Sequence, residues 1–356
     1  MLESADGLTS NQSQRVITHS GAFLTLSPRS ISVVCCSEIQ DPKWRWISAL
    51  LPETDVNFNF VRCPAGLNFR VLNLARMVGC WRAVKIARIE NASIIVTHGP
   101  TLAFWCSVFS RLLRVRVRLL AHSFNFARLP GPIKRYWFSL AFGNVDTFVV
   151  FSEMERVLYA KLFRIDPRRI DFVHWCVDAP AVLNPDKPIH PGNYVSAIGG
   201  NARDYATLFD AAHAMPNTTF VIVARPENLT GLTIPKNVSI FKNIPFEAAM
   251  NILLHSTLTV LPLIGSETPC GHVTIVAAMY LGKPIVVTDS TGISDYIKNC
   301  ETGLTVEMAS PSALVKSISS LLNDSGLRLK LAENSKHFVL RHCSPQTIAD
   351  HFKRWL

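Results

Sequence analysis

Eleven short runs rich in β-branched and aromatic residues alternate with longer helical patterns, in two series separated by a proline-rich stretch. The first series is SVVCC (32–36), NFNFV (57–61), SIIVTH (93–98), VRLLAH (117–122), DTFVVFS (146–152) and RIDFVHW (169–175). The second is YVSAI (194–198), TFVIVA (219–224), VSIFK (238–242), TLTVLPL (257–263) and PIVVT (284–288). Apolar strands separated by segments long enough for crossover helices, such as 69–89, specify parallel sheets covered on both faces. Between the series lies DAPAVLNPDKPIHPG (178–192), with Pro180, Pro185, Pro188 and Pro191 and no hydrophobic periodicity, which reads as a stiff link. The expected organisation is a loose leader over 1–30, a parallel α/β domain over 31–180, a linker over 181–192, a second α/β domain over 193–340 and a C-terminal helix over 341–356 able to pack back on the first domain. Two domains suit a chain of 356 residues.

No window approaches the ~18 uncharged apolar residues of a membrane-spanning helix. The most apolar stretch, 136–151, is interrupted by Gly143, Asn144 and Asp146. The first 30 residues lack the unbroken apolar core of a signal peptide and the basic helix of a transit peptide. Nine cysteines without a CxxC pair fit reducing cytosol, and Cys35, Cys36 and Cys106 lie in apolar runs where a thiol packs as a small hydrophobe. Charge is uneven: residues 1–187 hold 23 Lys and Arg against 14 Asp and Glu, the remainder 13 against 12, within a net +10. The surplus points to an acidic partner for the first half. No zinc-ligand spacing, RNP-like aromatic run or helix-turn-helix signature accompanies it, which argues against nucleic acid.

In an open parallel sheet, ligands bind beyond the carboxyl ends of strands, where a loop leads into a helix. After TLTVLPL, the loop IGSETPCG (264–271) leads into a predicted helix over 272–281, closed by Gly282 and turned by Pro284. Free N–H groups at such a helix start, with the macrodipole adding ~0.3–1 kcal/mol, suit a phosphate. Gly271 permits close approach, and His272 and Thr274 offer side-chain hydrogen bonds. An ordinary strand-to-helix turn with Thr274 as its starting hydroxyl is the other reading of these residues.

The run ETPCGHVTIVAAMYLGKPIVVTDSTGISDYIKNCETGLTV (267–306) resembles the nucleotide-sugar-binding core of glycosyltransferase family 4, a large retaining group of GT-B glycosyltransferases. Ala278, Met279, Gly282, Pro284, Thr288, Gly292, Asp295, Thr302, Gly303 and Leu304 carry the resemblance, which extends more weakly from about Ser32. It implies an α/β fold of GT-B type, two Rossmann-like domains facing each other across a cleft, with a nucleotide-diphosphate sugar held mainly by the second. GGNARDYATLFDAA (199–212) falls where the family has a Gly-rich strand end and a basic residue, making Gly200 and Arg203 donor-binding candidates, with Arg203 on the diphosphate. A surface arginine starting a helix beside Asp204 is the alternative. Glu267 is the candidate reader of the donor sugar, with Cys270, Gly271, His272, Val273 and Thr274 also on the donor. Two departures stand out. The family's second glutamate, which holds the ribose hydroxyls, corresponds to Ala277, and Glu267 lies four residues before Gly271 where the family has three.

The resemblance also implies a histidine after an N-terminal strand, pointing at the donor sugar. His122, leading the HSFNF loop, is the first choice for a catalytic role beside Glu267. His98, in THGP, and Ser123 are placed on the acceptor side; either histidine can equally be structural. A neutral imidazole suffices for such a role. There is no Asp-x-Asp motif, so neither metal nor cofactor is expected, and the helix dipole, Arg203 and Lys242 or Lys283 carry the leaving group's charge. The basic, aromatic segments 67–89, 111–120 and 132–142 suit an anionic membrane surface, or equally core helices with snorkelling arginine stems. The expectation is a cytoplasmic enzyme, peripheral on the inner face of the plasma membrane. It would move a sugar from a nucleotide-diphosphate donor to a saccharide or lipid-linked saccharide, with retention, in cell-surface polysaccharide or glycolipid assembly. A GT-B nucleotide-sugar epimerase and a non-catalytic GT-B-shaped partner are the alternatives, the latter resting on Ala277.

Overall fold

The computed structural model describes residues 31–38, 48, 50–51, 56–63, 73–126, 129–265 and 270–356. They form two six-stranded parallel sheets. The first has the order β2-β1-β3-β4-β5-β6, from β1 (Ile31–Ser37), β2 (Val56–Arg62), β3 (Ile94–His98), β4 (Arg118–His122), β5 (Thr147–Val150) and β6 (Ile170–Phe172). The second has the order β12-β11-β10-β7-β8-β9, from β7 (Val195–Ile198), β8 (Phe220–Ala224), β9 (Val238–Lys242), β10 (Leu258–Leu261), β11 (Ile285–Thr288) and β12 (Leu304–Val306). Each of the eleven apolar runs contains a strand. The three residues of β12 are too few to show a period, and pairing with β11 (Val286 beside Leu304) defines them.

The strands of the second sheet other than its edges are buried along their whole length, as two-sided coverage requires. Helices α1 (Leu74–Ile89), α2 (Pro100–Leu112), α3 (Pro132–Phe142) and α4 (Glu153–Phe163) accompany the first sheet. Helices α5 (Tyr205–His213), α6 (Phe246–His255), α7 (His272–Tyr280), α8 (Pro311–Asn323) and α9 (Ser325–His342) accompany the second. In α1, Gly79, Cys80, Ala83, Val84 and Ala87 form the buried stripe, at the spacing of one helix face.

A last helix, α10 (Pro345–Lys353), returns to the first sheet. Its Ile348 and Phe352 share a core with Val33, Ile94, Val96, Leu120 and Val149, and His351 Nε2 meets Asp171 Oδ2 at 2.9 Å. The proline-rich stretch has a fixed path despite its lack of periodicity. Asn251, fully buried on α6, donates from Nδ2 to the carbonyls of Leu183, Asn184 and Lys187, and its Oδ1 accepts from Ile189 N.

Candidate active site

In the second sheet the chain runs outward from β7 to β9, then returns to the other side of β7 with β10. The loops leaving β7 and β10 diverge and open a crevice. In the first sheet the same reversal falls between β1 and β3. At each crevice a helix begins at a positive-φ glycine without a side-chain cap: α7 at Gly271 (φ 104) and α2 at Gly99 (φ 94). By contrast α4, α5 and α8 start at Ser152, Asp204 and Ser310, whose side chains accept from the first turn. Among the described residues, the first N–H groups of α7 are thus left for an anion. A Cβ at Gly271 would stand 2.7 Å from Leu261 Cδ2, so that methyl would have to turn aside.

Arg203 lies behind this helix start, 6% exposed. Nη2 donates to Thr274 Oγ1 (3.2 Å), Nε and Nη2 to the Ile198 carbonyl (3.3 and 3.4 Å) and Nη1 to the Asn201 carbonyl (2.7 Å). A β-bridge pairs Arg203 with Leu263. The guanidinium therefore joins the loops after β7 and β10. Protein acceptors take the donors that the sequence assigns to a diphosphate, and the alternative of a surface arginine is corrected by its burial. Gly199 makes room for it, because a Cβ there would stand 2.5 Å from Arg203 Nη2. Arg225, which the sequence reading passes over, is the exposed cation of this loop. Its stem crosses Gly200, where a Cβ would stand 2.8 Å from Arg225 Cδ, and its Nη1 donates to Asn201 Oδ1 at 3.1 Å. Its position directly after TFVIVA is the signal that marks it.

The other donor-side candidates divide. His272 does not face the helix opening: Nε2 meets the Gly292 carbonyl at 2.8 Å, the ring lies 4.7 Å from that of Tyr296, and burial lowers its pKa to about 4. The expected side-chain contribution of His272 is corrected on that ground. Thr274 is turned inward onto Arg203 and the Ile198 carbonyl, whereas Val273 is exposed. Cys270 is half-buried at the end of the loop, and Glu267 lies outside the described residues. Lys242 closes β9, three strands from β10, which at ~4.8 Å per strand is about 14 Å. Lys283 follows the far end of α7 and donates to the Ser256 carbonyl at 3.0 Å. It sits at the opposite edge of the sheet, so its expected place against the leaving group is ruled out by topology. Ala277 is buried in the core under α7.

In the first sheet His98 and His122 end neighbouring strands in the same register. His98 Nδ1 lies 3.3 Å from Ser37 Oγ, and His122 Nδ1 lies 3.0 Å from Ser123 Oγ. Burial lowers the pKa of His98 to about 4 and that of His122 to about 3, the latter helped by His98. Both rings are neutral at pH 7. The expected exposed loop after His122 is corrected: Phe124 N donates to the Val149 carbonyl at 2.9 Å, and the Phe124 ring packs edge-on against Phe142, Phe148 and Tyr159. That aromatic cluster draws the segment into the core.

The two crevices face each other. Glu153 N donates to Asp295 Oδ2 (2.9 Å), Trp175 N to Tyr296 Oη (2.7 Å) and Tyr296 Oη to the Phe151 carbonyl (2.7 Å). These contacts join the segments leaving β5 and β6 in the first sheet to the segment leaving β11 in the second, so the two sheets meet at their carboxyl edges. Glu155, in the first turn of α4, is buried and accepts from Phe151 N and Tyr159 Oη; its carboxyl is pushed up to about 7 by burial. Burial also raises the Cys270 thiol, and Glu155 adds to the effect.

This architecture is similar to that of Anabaena Alr3699/HepE solved in complex with UDP-glucose, with a TM-score of 0.66 over 91% of this chain and 98% of that one, at 14% identity. The fold is GT-B. The family model for glycosyl transferases group 1 matches residues 213–338 of this GT-B chain, a span that includes β8 to β12 and α7. Over 112 residues the chain is 28% identical to the lipopolysaccharide core biosynthesis glycosyltransferase LpsE of Rhizobium meliloti (strain 1021). Over 78 residues it is 36% identical to the capsular polysaccharide biosynthesis glycosyltransferase CapM of Staphylococcus aureus. The matches span 30% and 20% of the length of those two relatives.

Proposed function

We propose that the protein is a glycosyltransferase moving a sugar from a nucleotide-diphosphate donor to a hydroxyl of a saccharide or lipid-linked saccharide, with retention, in polysaccharide or glycolipid assembly. The observation that carries this reading is the start of α7, opened by Gly271 without a side-chain cap and set at the strand reversal of the second sheet. The group 1 match over 213–338 supports it, as do the names of the two relatives and the UDP-glucose bound to HepE.

In this reading the diphosphate lies on the first N–H groups of α7, and the exposed Arg225 supplies the positive charge that buried Arg203 does not present. As the sugar leaves, charge develops on the diphosphate, where fixed N–H dipoles in a closed cleft stabilise it without reorganising. Neither a metal nor a cofactor is required for that. His98 and His122, neutral and facing from the other sheet, orient sugar hydroxyls rather than exchange protons. The acceptor occupies the first domain. The exposed, basic face of α3 suits attachment to the inner face of the plasma membrane, where a lipid-linked acceptor resides.

Titration of UDP and GDP into the full chain tests the reading, with Kd measured by calorimetry. Binding of one of them, weakened by Arg225→Ala, supports it; absence of binding by both overturns it. Donor turnover in the presence and absence of membrane extract then separates transfer from epimerisation, which needs no acceptor.

A further inference from the structure

Four cysteines from four different elements meet behind the reversal point of the first sheet. Cys36 lies one residue before the end of β1, Cys63 follows β2, Cys80 lies in α1 and Cys106 in α2, and none has measurable exposure. The Cys36 sulfur stands 3.9 Å from those of Cys80 and Cys106 and 3.0 Å from that of Cys63. The sulfurs of Cys36, Cys80 and Cys106 all lie within 4.8 Å of one another. A Zn²⁺ ion ~2.3 Å from each thiolate needs sulfurs about 3.8 Å apart in a tetrahedron. The Cys36–Cys80 and Cys36–Cys106 edges already have that length, whereas Cys63, which stands outside the mutually close trio, has to move away from Cys36 to complete the tetrahedron.

Packing of thiols as small hydrophobes accounts for their burial. It does not account for four of them converging from separate elements onto one point. The backbone is also fitted to the cluster: Gly79 brings α1 so close that a Cβ there would stand 2.5 Å from Cys63 Sγ.

We propose that Cys36, Cys63, Cys80 and Cys106 form a closed thiolate site for one Zn²⁺ ion, which ties β1, the end of β2, α1 and α2 together at the base of the first domain. Four protein ligands leave no open coordination position, so the ion is structural. Its position is consequential nonetheless, because the residue after Cys36 is Ser37, whose Oγ lies 3.3 Å from His98 Nδ1. The ion thus fixes the floor of one side of the cleft. The site does not depend on the proposed transferase reaction.

The test is metal analysis of the wild-type full chain, purified under reducing conditions from zinc-supplemented cells and dialysed. About one zinc per chain is expected, with a lower Tm after removal by a strong chelator and recovery on adding Zn²⁺ alone. Replacement by Co²⁺ is expected to give the intense thiolate charge-transfer and tetrahedral d–d absorption of a cobalt–sulfur site. Cys80→Ser and Cys106→Ser should each reduce bound zinc. Wild-type protein that holds no zinc while all four thiols titrate after denaturation overturns the proposal in favour of packing. A Cys36–Cys63 disulfide in protein prepared without reductant, with no zinc, overturns it in favour of a redox pair, and zinc that persists in a folded Cys36→Ser/Cys106→Ser variant places the ion elsewhere.

Discussion

Arg203 donates from Nη2 to Thr274 Oγ1 at 3.2 Å, so a single buried guanidinium couples the loop after β7 to the first turn of α7. The same nitrogen also reaches the Ile198 carbonyl, at 3.4 Å. The two partners are therefore unequal. Thr274→Val removes one acceptor while Arg203 keeps its carbonyl partners, and a loss of about 1 kcal/mol is expected. Arg203→Ala removes the donor to the Asn201 carbonyl and to Thr274 Oγ1, while the Ile198 carbonyl keeps its bond from Thr274 Oγ1, and the expected cost is about 3 kcal/mol, with weaker nucleotide binding. Urea unfolding and nucleotide titration of both variants provide the check; equal losses would show that the pair does not act through the carbonyl ends of β7.

Gly271 is constrained by its φ of 104, and a Cβ there would also displace the Leu261 Cδ2 methyl, 2.7 Å away. Gly271→Ala is expected to destabilise by about 1–3 kcal/mol through backbone strain alone. It should also displace the first turn of α7. Nucleotide affinity is expected to fall further than in a control such as Val273→Ala, which alters an exposed side chain on the same turn. A Gly271→Ala protein with native affinity contradicts the placing of the diphosphate on this helix.

The strands and the place of the crevice at α7 follow from features a linear sequence carries well, namely apolar runs of strand length and a loop ending in glycine before a helix, whereas the strand order comes from the pairing alone. Side-chain direction is less legible. Nothing local reveals that His272 turns to Gly292 and Tyr296, because its partners lie 20 and 24 residues away. HSFNF has the polar start of a loop, yet Phe124 finds an aromatic cage built from α3, β5 and α4. Arg203 is singled out by the family resemblance, whereas Arg225 carries a purely local signal, its place directly after the strand run TFVIVA. The four-cysteine cluster carries no such signal, for its members are brought together only when two strands and two helices pack.

Acid stability depends on the histidines whose pKa burial lowers, three of them by the largest amounts. Burial holds the pKa of His98 at about 4, His122 at about 3 and His272 at about 4, whereas an unfolded histidine titrates near ~6.5. Between those values the unfolded chain binds more protons, so stability falls as pH drops through this range, by up to about 1.4 kcal/mol per pH unit for each group. Glu155 acts oppositely: with its carboxyl raised to about 7, its contribution declines as pH rises from ~4.5 to that value. His174 and His342, also lowered by burial, act in the same direction as these three, so the balance against Glu155 is a net loss on the acid side. His272→Phe keeps an aromatic ring against Tyr296 and should flatten the slope by one proton between about pH 5 and 6.5. Urea midpoints across that interval measure it, and an unchanged slope sinks the assignment.

The proposed membrane attachment rests on one helix face. Ile133, Tyr136, Trp137 and Leu140 of α3 are exposed, with Lys134 and Arg135 between them. Beside them runs a groove of about 390 Å³ lined in part by Arg135, Leu162 and Arg164. Aromatic rings with cations alongside match the interface of an anionic bilayer, where each Lys or Arg contributes about 1 kcal/mol. Tyr136→Ser/Trp137→Ser alters only exposed side chains, so folding should be retained within about 0.5 kcal/mol. In co-sedimentation, the wild-type chain is expected to bind vesicles containing phosphatidylglycerol and to be released by salt, with little binding to pure phosphatidylcholine. The double variant should bind several-fold less, and Lys134→Gln/Arg135→Gln should lose about 2 kcal/mol of vesicle affinity. Equal binding of all three proteins to both lipids contradicts α3 as the contact.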